Sequence, residues 1–340
     1  MTDSAVGTLP PSGARIAPTP PYVAPAWLPG GHAQTIWPYL LPRPAVHFRR
    51  ERVDAPDGDF WDFDWIDAPP HARADTPLVV LFHGLEGSSD SHYARMLMAT
   101  IKARGWRGVI PHFRGCSGDP NRMPRAYHSG DHEELGALVA AVRARVPPEA
   151  VVYAVGVSVG GSVLLNWLGR AGSDAARSIA AAAAVSTPLD LTSAGIAIDR
   201  GLNRIYTRNF LSTLKPKSLA MAERFPGLLD PARIRRARTM FVFDDAVTAR
   251  LHGFAGAPDY WQRASSKPWL AGVAVPTLVL NARNDPFVPR ESLPGAGDVS
   301  RDVLLLQPDD GGHVGFLSGP FPGNLEWLPR RLLDFFLYRR

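Results

Sequence analysis

The chain has 340 residues, 45% hydrophobic and 20% charged, which excludes a disordered or fibrous protein and allows a sizeable core. A single cysteine, Cys116, excludes an intramolecular disulfide and a thiolate metal site, so a reducing, cytoplasmic setting is expected. The net charge of +5 is uneven: residues 191–270 carry 13 Lys and Arg against 6 Asp and Glu, the rest 24 against 26. That surplus reads either as a solvated helix face or as attraction for an anionic substrate group or membrane surface. Peripheral contact with an anionic membrane is therefore one expectation, whereas no motif for nucleic acid accompanies the charge. No secretory signal pattern is seen, and no apolar run reaches the length of a membrane span, so a soluble protein is expected.

In chain order, residues 1–26 are rich in proline and small residues and read as a flexible or extended arm. Residues 45–53 and 59–66, separated by Ala55-Pro56-Asp57-Gly58, read as two strands joined by a turn. In the second, Phe60, Asp62 and Asp64 alternate with Trp61, Phe63 and Trp65. Apolar runs at 78–82, 108–111, 151–155 and 179–185 then alternate with helical stretches at 93–104, 132–145 and 159–168. This rhythm predicts an α/β fold, a mostly parallel central sheet with helices on both faces. It stops after Pro188. Residues from 191 to about 270 hold helix-like stretches at 217–224 and 231–238 without a strong strand, and read as a helical cap above the C-terminal strand ends. Strands at 277–280 and 302–306 and a helix at 324–336 complete the series.

Gly156-Val157-Ser158-Val159-Gly160 falls between a predicted strand and a predicted helix, the setting of a nucleophile elbow. A serine on so sharp a turn presents its Oγ clear of the sheet, and flanking glycines remove side chains that would collide. A serine hydroxyl is a weak nucleophile, so acyl transfer also needs a histidine to accept its proton and a carboxylate to orient that imidazole. In this architecture the chain order is serine, acid, histidine. Asp285, in Asn284-Asp285-Pro286, follows the strand at 277–280, and His313, in Gly311-Gly312-His313-Val314-Gly315, follows that at 302–306. Asp190 competes for the acid role, and Asp285 before a proline could simply open a turn. Asp309 and Asp310 are further alternatives, though their closeness to His313 in sequence disfavours placement from separate strand ends.

Two backbone N–H groups must also face the developing oxyanion. Val159 supplies one by its place after the serine. Leu85, in His83-Gly84-Leu85-Glu86-Gly87, is the candidate for the other, with an ordinary glycine turn as the alternative reading. His32, His128 and His252 read as structural hydrogen-bonding residues, with His32 also able to lean over the site, and Cys116 as a small loop residue. The groups Asp131/Glu133/Glu134 and Asp244/Asp245 lack metal-site spacing, and no metal is assigned. Tyr206, Phe210, Phe241 and Trp261 give the cap aromatic surface for packing or for lining an acyl pocket.

The His83-Gly84 loop, Arg114-Gly115-Cys116-Ser117-Gly118, the elbow, Asp285 and His313 together resemble an α/β-hydrolase. More narrowly, Trp27-Leu28-Pro29-Gly30-Gly31-His32-Ala33-Gln34-Thr35, Tyr127-His128-Ser129-Gly130, Phe243-Asp244-Asp245, Leu251-His252-Gly253-Phe254 and Gly312-His313-Val314-Gly315-Phe316 resemble the YheT-like branch. The resemblance implies an α/β-hydrolase domain over 27–340 and esterases or hydrolases acting on medium-chain acyl esters or phospholipids. The expected activity is cleavage of carboxylic esters with short to medium acyl chains, or of lipid-like esters, through an acyl-enzyme on Ser158. Asp285 and His313 complete the triad, the amides of Leu85 and Val159 hold the oxyanion, no cofactor is needed, and the partner is a small-molecule ester. Acyl transfer to an alcohol on the same triad is one alternative. A non-catalytic scaffold whose basic cap binds membranes or a partner is the other.

Overall fold

The computed structural model of the chain describes residues 19–338 apart from Ala68 and His71. The arm expected over 1–26 lies outside the described residues as far as 18. From Thr19 the chain runs against the body: Trp327 Nε1–H donates to the Pro20 carbonyl at 2.9 Å, and the Tyr22 ring meets Phe316 and Trp327 edge-on.

Eight strands form one sheet: β1 (Arg49–Asp54), β2 (Phe60–Ile66), β3 (Leu78–Phe82), β4 (Arg107–Pro111), β5 (Val152–Val157), β6 (Ala181–Val185), β7 (Thr277–Leu280) and β8 (Val303–Leu306). Their order is β1-β2-β4-β3-β5-β6-β7-β8, antiparallel for β1–β2 and β2–β4 and parallel elsewhere. A short α1 (Gly31–Ile36) precedes the sheet; α2 (His92–Ala103), α3 (His132–Arg143) and α4 (Val159–Ala171) connect its strands. Strand periodicity sorts the core. Leu78, Val80 and Phe82 of β3 pack with Leu135 of α3 and Leu164 of α4, while Val79 and Leu81 face Leu97 and Met98 of α2 and Leu332 of the final helix, α11 (Trp327–Tyr338). Both faces of the central strands are thereby covered, which is why those segments read as unbroken apolar runs.

Two element starts lie several residues from the sequence reading. β1 begins at Arg49 rather than 45, because its register starts where β2 is ending, with Arg49 opposite Trp65. The aspartates of β2 alternate as predicted; Asp62 and Asp64 are buried, and the register sets them opposite Arg52 and Arg50, which bind them bidentately at 2.8 Å. The last helix begins at Trp327, not 324, because Asn324 pairs with Ser318 and its Oδ1 accepts from the Glu326 N–H at 3.1 Å.

Between β6 and β7 lie the helices α5 (Leu191–Ile198), α6 (Arg204–Arg224), α7 (Pro231–Arg236), α8 (Met240–Phe243), α9 (Ala249–His252) and α10 (Ala257–Ala264). Their starts are written locally: Asp190 caps α5, Asp230 with Pro231 opens α7, and Thr239 caps α8. The helix foreseen at 217–224 is the end of the 21-residue α6. Leu211, Leu214, Ile234, Phe243 and Val247 form a separate apolar cluster within this insertion, and Leu85 of the loop after β3 packs against it.

Candidate active site

Ser158 stands between β5 and α4 with φ 55° and ψ −120°, a left-handed conformation that non-glycine residues seldom adopt. The turn is held because the Ser158 N–H donates to the Val185 carbonyl at 2.9 Å and α4 starts hard against β3. A side-chain carbon at Gly160 would stand 2.2 Å from the Phe82 carbonyl oxygen, so only glycine permits that approach. The Ser158 hydroxyl lies 3.0 Å from His313 Nε2, and His313 Nδ1 lies 2.8 Å from Asp285 Oδ2. Asp285 is buried, and its other oxygen accepts from the Phe287 N–H at 2.8 Å. The three side chains singled out in the sequence thus form one hydrogen-bonded line. The rival acids are engaged elsewhere: Asp190 binds Ser193, Asp310 binds Gln34 and Asn284, and Asp309 is exposed.

A support layer holds the histidine loop in place. The Thr35 hydroxyl accepts from the His313 N–H at 2.9 Å and donates to the Gly31 carbonyl. Gln34 Oε1 accepts from the Gly311 N–H (2.8 Å) and from Asn284 Nδ2–H (2.9 Å), and Asn284 Oδ1 accepts from the Gly312 N–H (2.9 Å). Ser186, at the end of β6, accepts from the Val314 N–H at 2.9 Å. Sequence reasoning quoted the motif around Gln34 and Thr35 and the Asn284-Asp285 pair without giving these residues a task. The contacts they make span nearly the whole chain, so the only local signal was an unexplained polar cluster beside glycines.

The loop after β3 is pinned on both sides of Leu85. The Gly84 N–H donates to the Tyr93 hydroxyl and the Glu86 N–H to the Tyr127 hydroxyl, each at 2.8 Å. Among the described residues the N–H groups of Leu85 and Val159 have no acceptor. A side-chain carbon at Gly84 would come within 3.2 Å of Ser158 Cβ, which places this loop directly over the serine. His83 braces it from below: its Nδ1–H donates to the Gly84 carbonyl (2.8 Å) and its Nε2 accepts from the Phe113 N–H (3.1 Å). Both bonds require the neutral ring, and complete burial depresses its pKa to about 3. Among the described residues the five non-glycine positions with positive φ are Glu86, Ser158, Ser186, Val314 and Phe316, all at or beside these loops. Backbone strain concentrated in this way is held by the surrounding contacts.

A cavity of about 560 Å3 opens over Ser158 and His313. Its walls are mainly apolar and include Ile198, Phe210, Leu214, Met240, Val247 and Trp261 of the insertion. Phe210 and Trp261 therefore line it, whereas Tyr206 stacks on His32, which it meets at 3.1 Å, and Phe241 is exposed on the far side. Asp244 is buried at the cavity wall, where burial raises its carboxyl to about 6 despite bonds from Trp261 Nε1–H and the Thr248 hydroxyl, both 2.8 Å. The His128 and His252 rings lie 4.4 Å apart and burial lowers both, His252 to about 4. Burial pushes the Cys116 thiol up to about 12, which makes it inert at neutral pH. Among the described residues no group of three or more His, Cys, Asp or Glu is arranged to hold a metal ion, and no helix is long and apolar enough to cross a membrane.

Fold and site together define a class, and comparison with known proteins agrees. Residues 77–320 match the family described as alpha/beta hydrolase fold, and the chain belongs to it. Within that family it is YheT-like: it is 39% identical over 307 residues to YheT of Escherichia coli (strain K12), named provisionally as an esterase, covering 89% of each chain. Phospholipase ABHD3 of Mus musculus is 30% identical over 324 residues, covering 93% of this chain and 78% of the relative. In fold the chain is similar to the Pyrococcus furiosus esterase Pf2001, with a TM-score of 0.53 at 16% identity over 88% of this chain and 98% of that one. The chain is a hydrolase of an esterase-containing family.

Proposed function

We propose that the chain is a serine carboxylic ester hydrolase and that the insertion over 191–270 is its cap. The observation that carries this reading is the unbroken line from Ser158 Oγ through His313 to buried Asp285, at the floor of an apolar cavity. Ser158 Oγ attacks the ester carbonyl carbon while its proton passes to His313 Nε2, and Asp285 holds the imidazolium that forms. The resulting oxyanion accepts hydrogen bonds from the Leu85 and Val159 N–H groups, each preorganised donor contributing roughly 10²- to 10³-fold in rate. Collapse breaks the ester C–O bond, His313 returns its proton to the departing alcohol, and the acyl group stays on Ser158. Water, deprotonated by His313, then attacks the acyl-enzyme; the acid leaves and Ser158 regains its proton.

The substrate reading is an ester with an aliphatic acyl chain. At roughly 30 Å3 per water-sized group, a cavity of about 560 Å3 holds fewer than about twenty such groups, enough for a medium chain with its ester. The phospholipase named among the relatives supports a lipid-borne ester. A series of p-nitrophenyl esters from acetate to palmitate, run on wild type and Ser158→Ala, tests both parts. Activity should peak at medium chains and vanish in the variant; hydrolysis persisting in a folded Ser158→Ala protein removes the mechanism.

A further inference from the structure

We propose that the outer face of the helical insertion docks on an anionic lipid surface. The end of α5, the turn at 201–203, the start of α6 and the start of α8 meet around Asp199. Its carboxylate accepts from the Met240 and Phe241 N–H groups (2.8 and 3.1 Å) and from the Thr207 hydroxyl (3.1 Å). On the solvent side of this junction Leu202, Ile205 and Phe241 are 68%, 59% and 43% exposed. Arg200, Arg204, Arg208 and Arg238 are exposed among them. Among the described residues none of these four guanidinium groups pairs with a carboxylate; the ion pairs of the insertion are made by Lys217, Arg233, Arg263 and Lys267.

Two physical points select lipid. From Leu191 to Ala222 the one acidic residue is Asp199, against Arg200, Arg204, Arg208, Lys215 and Lys217, and Asp199 is turned onto backbone N–H groups rather than onto a guanidinium, so the face keeps a net positive charge. Large aliphatic side chains standing in water between unpaired arginines are unfavourable for a free surface, yet they suit a headgroup boundary. There the aliphatic tips enter the acyl region while arginine stems snorkel and their heads reach phosphate. The same helices turn Ala194, Ile198, Phe210 and Leu214 inward to wall the cavity, and Asn203 Nδ2–H donates to the Pro286 carbonyl next to Asp285. A lipid surface met here would lie against the outer side of the cavity wall.

The test is sedimentation of the full chain with phosphatidylcholine vesicles, with and without phosphatidylglycerol, at low and high salt. It does not depend on the esterase reading, since binding is scored without turnover. Wild type should bind the phosphatidylglycerol vesicles far better than the neutral ones, with binding weakened by salt. The triple variant Arg200→Gln, Arg204→Gln, Arg208→Gln should lose roughly 100-fold in partitioning, and the double variant Leu202→Ser, Ile205→Ser on the order of tenfold. Urea unfolding of each variant should match wild type, which separates lost docking from lost folding. Equal binding to both vesicle types, or variants that bind as wild type does, would overturn the proposal. So would a self-association abolished by the double variant without any vesicle binding, which would make the occupant a second copy of the chain.

Discussion

Gln34→Ala tests how the histidine loop is held. The Gln34 side chain is fully buried and makes four bonds: Oε1 accepts from Gly311 and Asn284, and Nε2–H donates to the Leu28 carbonyl (3.1 Å) and to Asp310 (3.3 Å). Truncation leaves Asn284 still bonded to Asp310 at 2.8 Å, so the groups left without a partner are the Gly311 N–H and the Leu28 carbonyl. A buried polar group stripped of its partner costs about 1–3 kcal/mol, so two give a loss of about 2–6 kcal/mol, a large share of the stability of an ordinary domain. Gly311 is two residues from His313, and a displacement of about 1 Å at a catalytic group can cost on the order of 10²-fold in rate. Urea unfolding should therefore show the loss, and kcat on a p-nitrophenyl ester, measured where the variant is fully folded, should fall at least about tenfold with KM less affected. Gln34→Glu keeps an acceptor for Gly311 but sets a carboxylate oxygen against the Leu28 carbonyl and Asp310, so it should not restore the lost stability. A stability change below about 1 kcal/mol, or a clear stability loss with kcat intact, would refute the reasoning.

The Tyr93 and Tyr127 hydroxyls accept the N–H groups on either side of Leu85, so Tyr93→Phe and Tyr127→Phe should each lower kcat by about tenfold through a looser oxyanion loop. Steady-state kinetics with unchanged kcat would show that the loop holds its shape without them. For Asp244 the folded carboxyl, at about 6, is raised above its unfolded value of 3.8. The folded state therefore binds this proton more tightly, and stability falls as pH rises between those two values. The full penalty, about 3 kcal/mol at about 1.4 kcal/mol per pH unit, is present above pH 6. Asp244→Asn keeps the acceptor for Trp261 Nε1–H and can donate to Thr248, so it should stabilise the protein near neutral pH and have little effect near pH 4. Urea midpoints that shift equally at both pH values would contradict this assignment.

What the sequence disclosed and what it hid follow from the range of the interactions. β3 and β7 match the predicted spans because each is a short apolar run bounded by turns and buried on both faces. Ser158, Asp285 and His313 were legible because each lies just past a recognisable strand and their chain order is restrictive. The support around them was not. Gln34 meets Gly311 across 277 residues, and Ser186 meets Val314 across 128, contacts that no local pattern encodes. The pairing of the buried β2 aspartates is hidden for a related reason: their arginine partners become visible only when β1 is laid in register. The long α6 escaped notice at its start because Ile205 stands in water and Arg204 and Arg208 interrupt any apolar stripe.

The central claim is that Ser158 is an activated nucleophile. Incubation with a fluorophosphonate probe, followed by peptide mapping in a mass spectrometer, examines it directly. The account predicts one adduct, on the peptide carrying Ser158, and a much slower reaction in His313→Ala. A folded protein that stays unlabelled, or that carries the adduct on another serine, would contradict it.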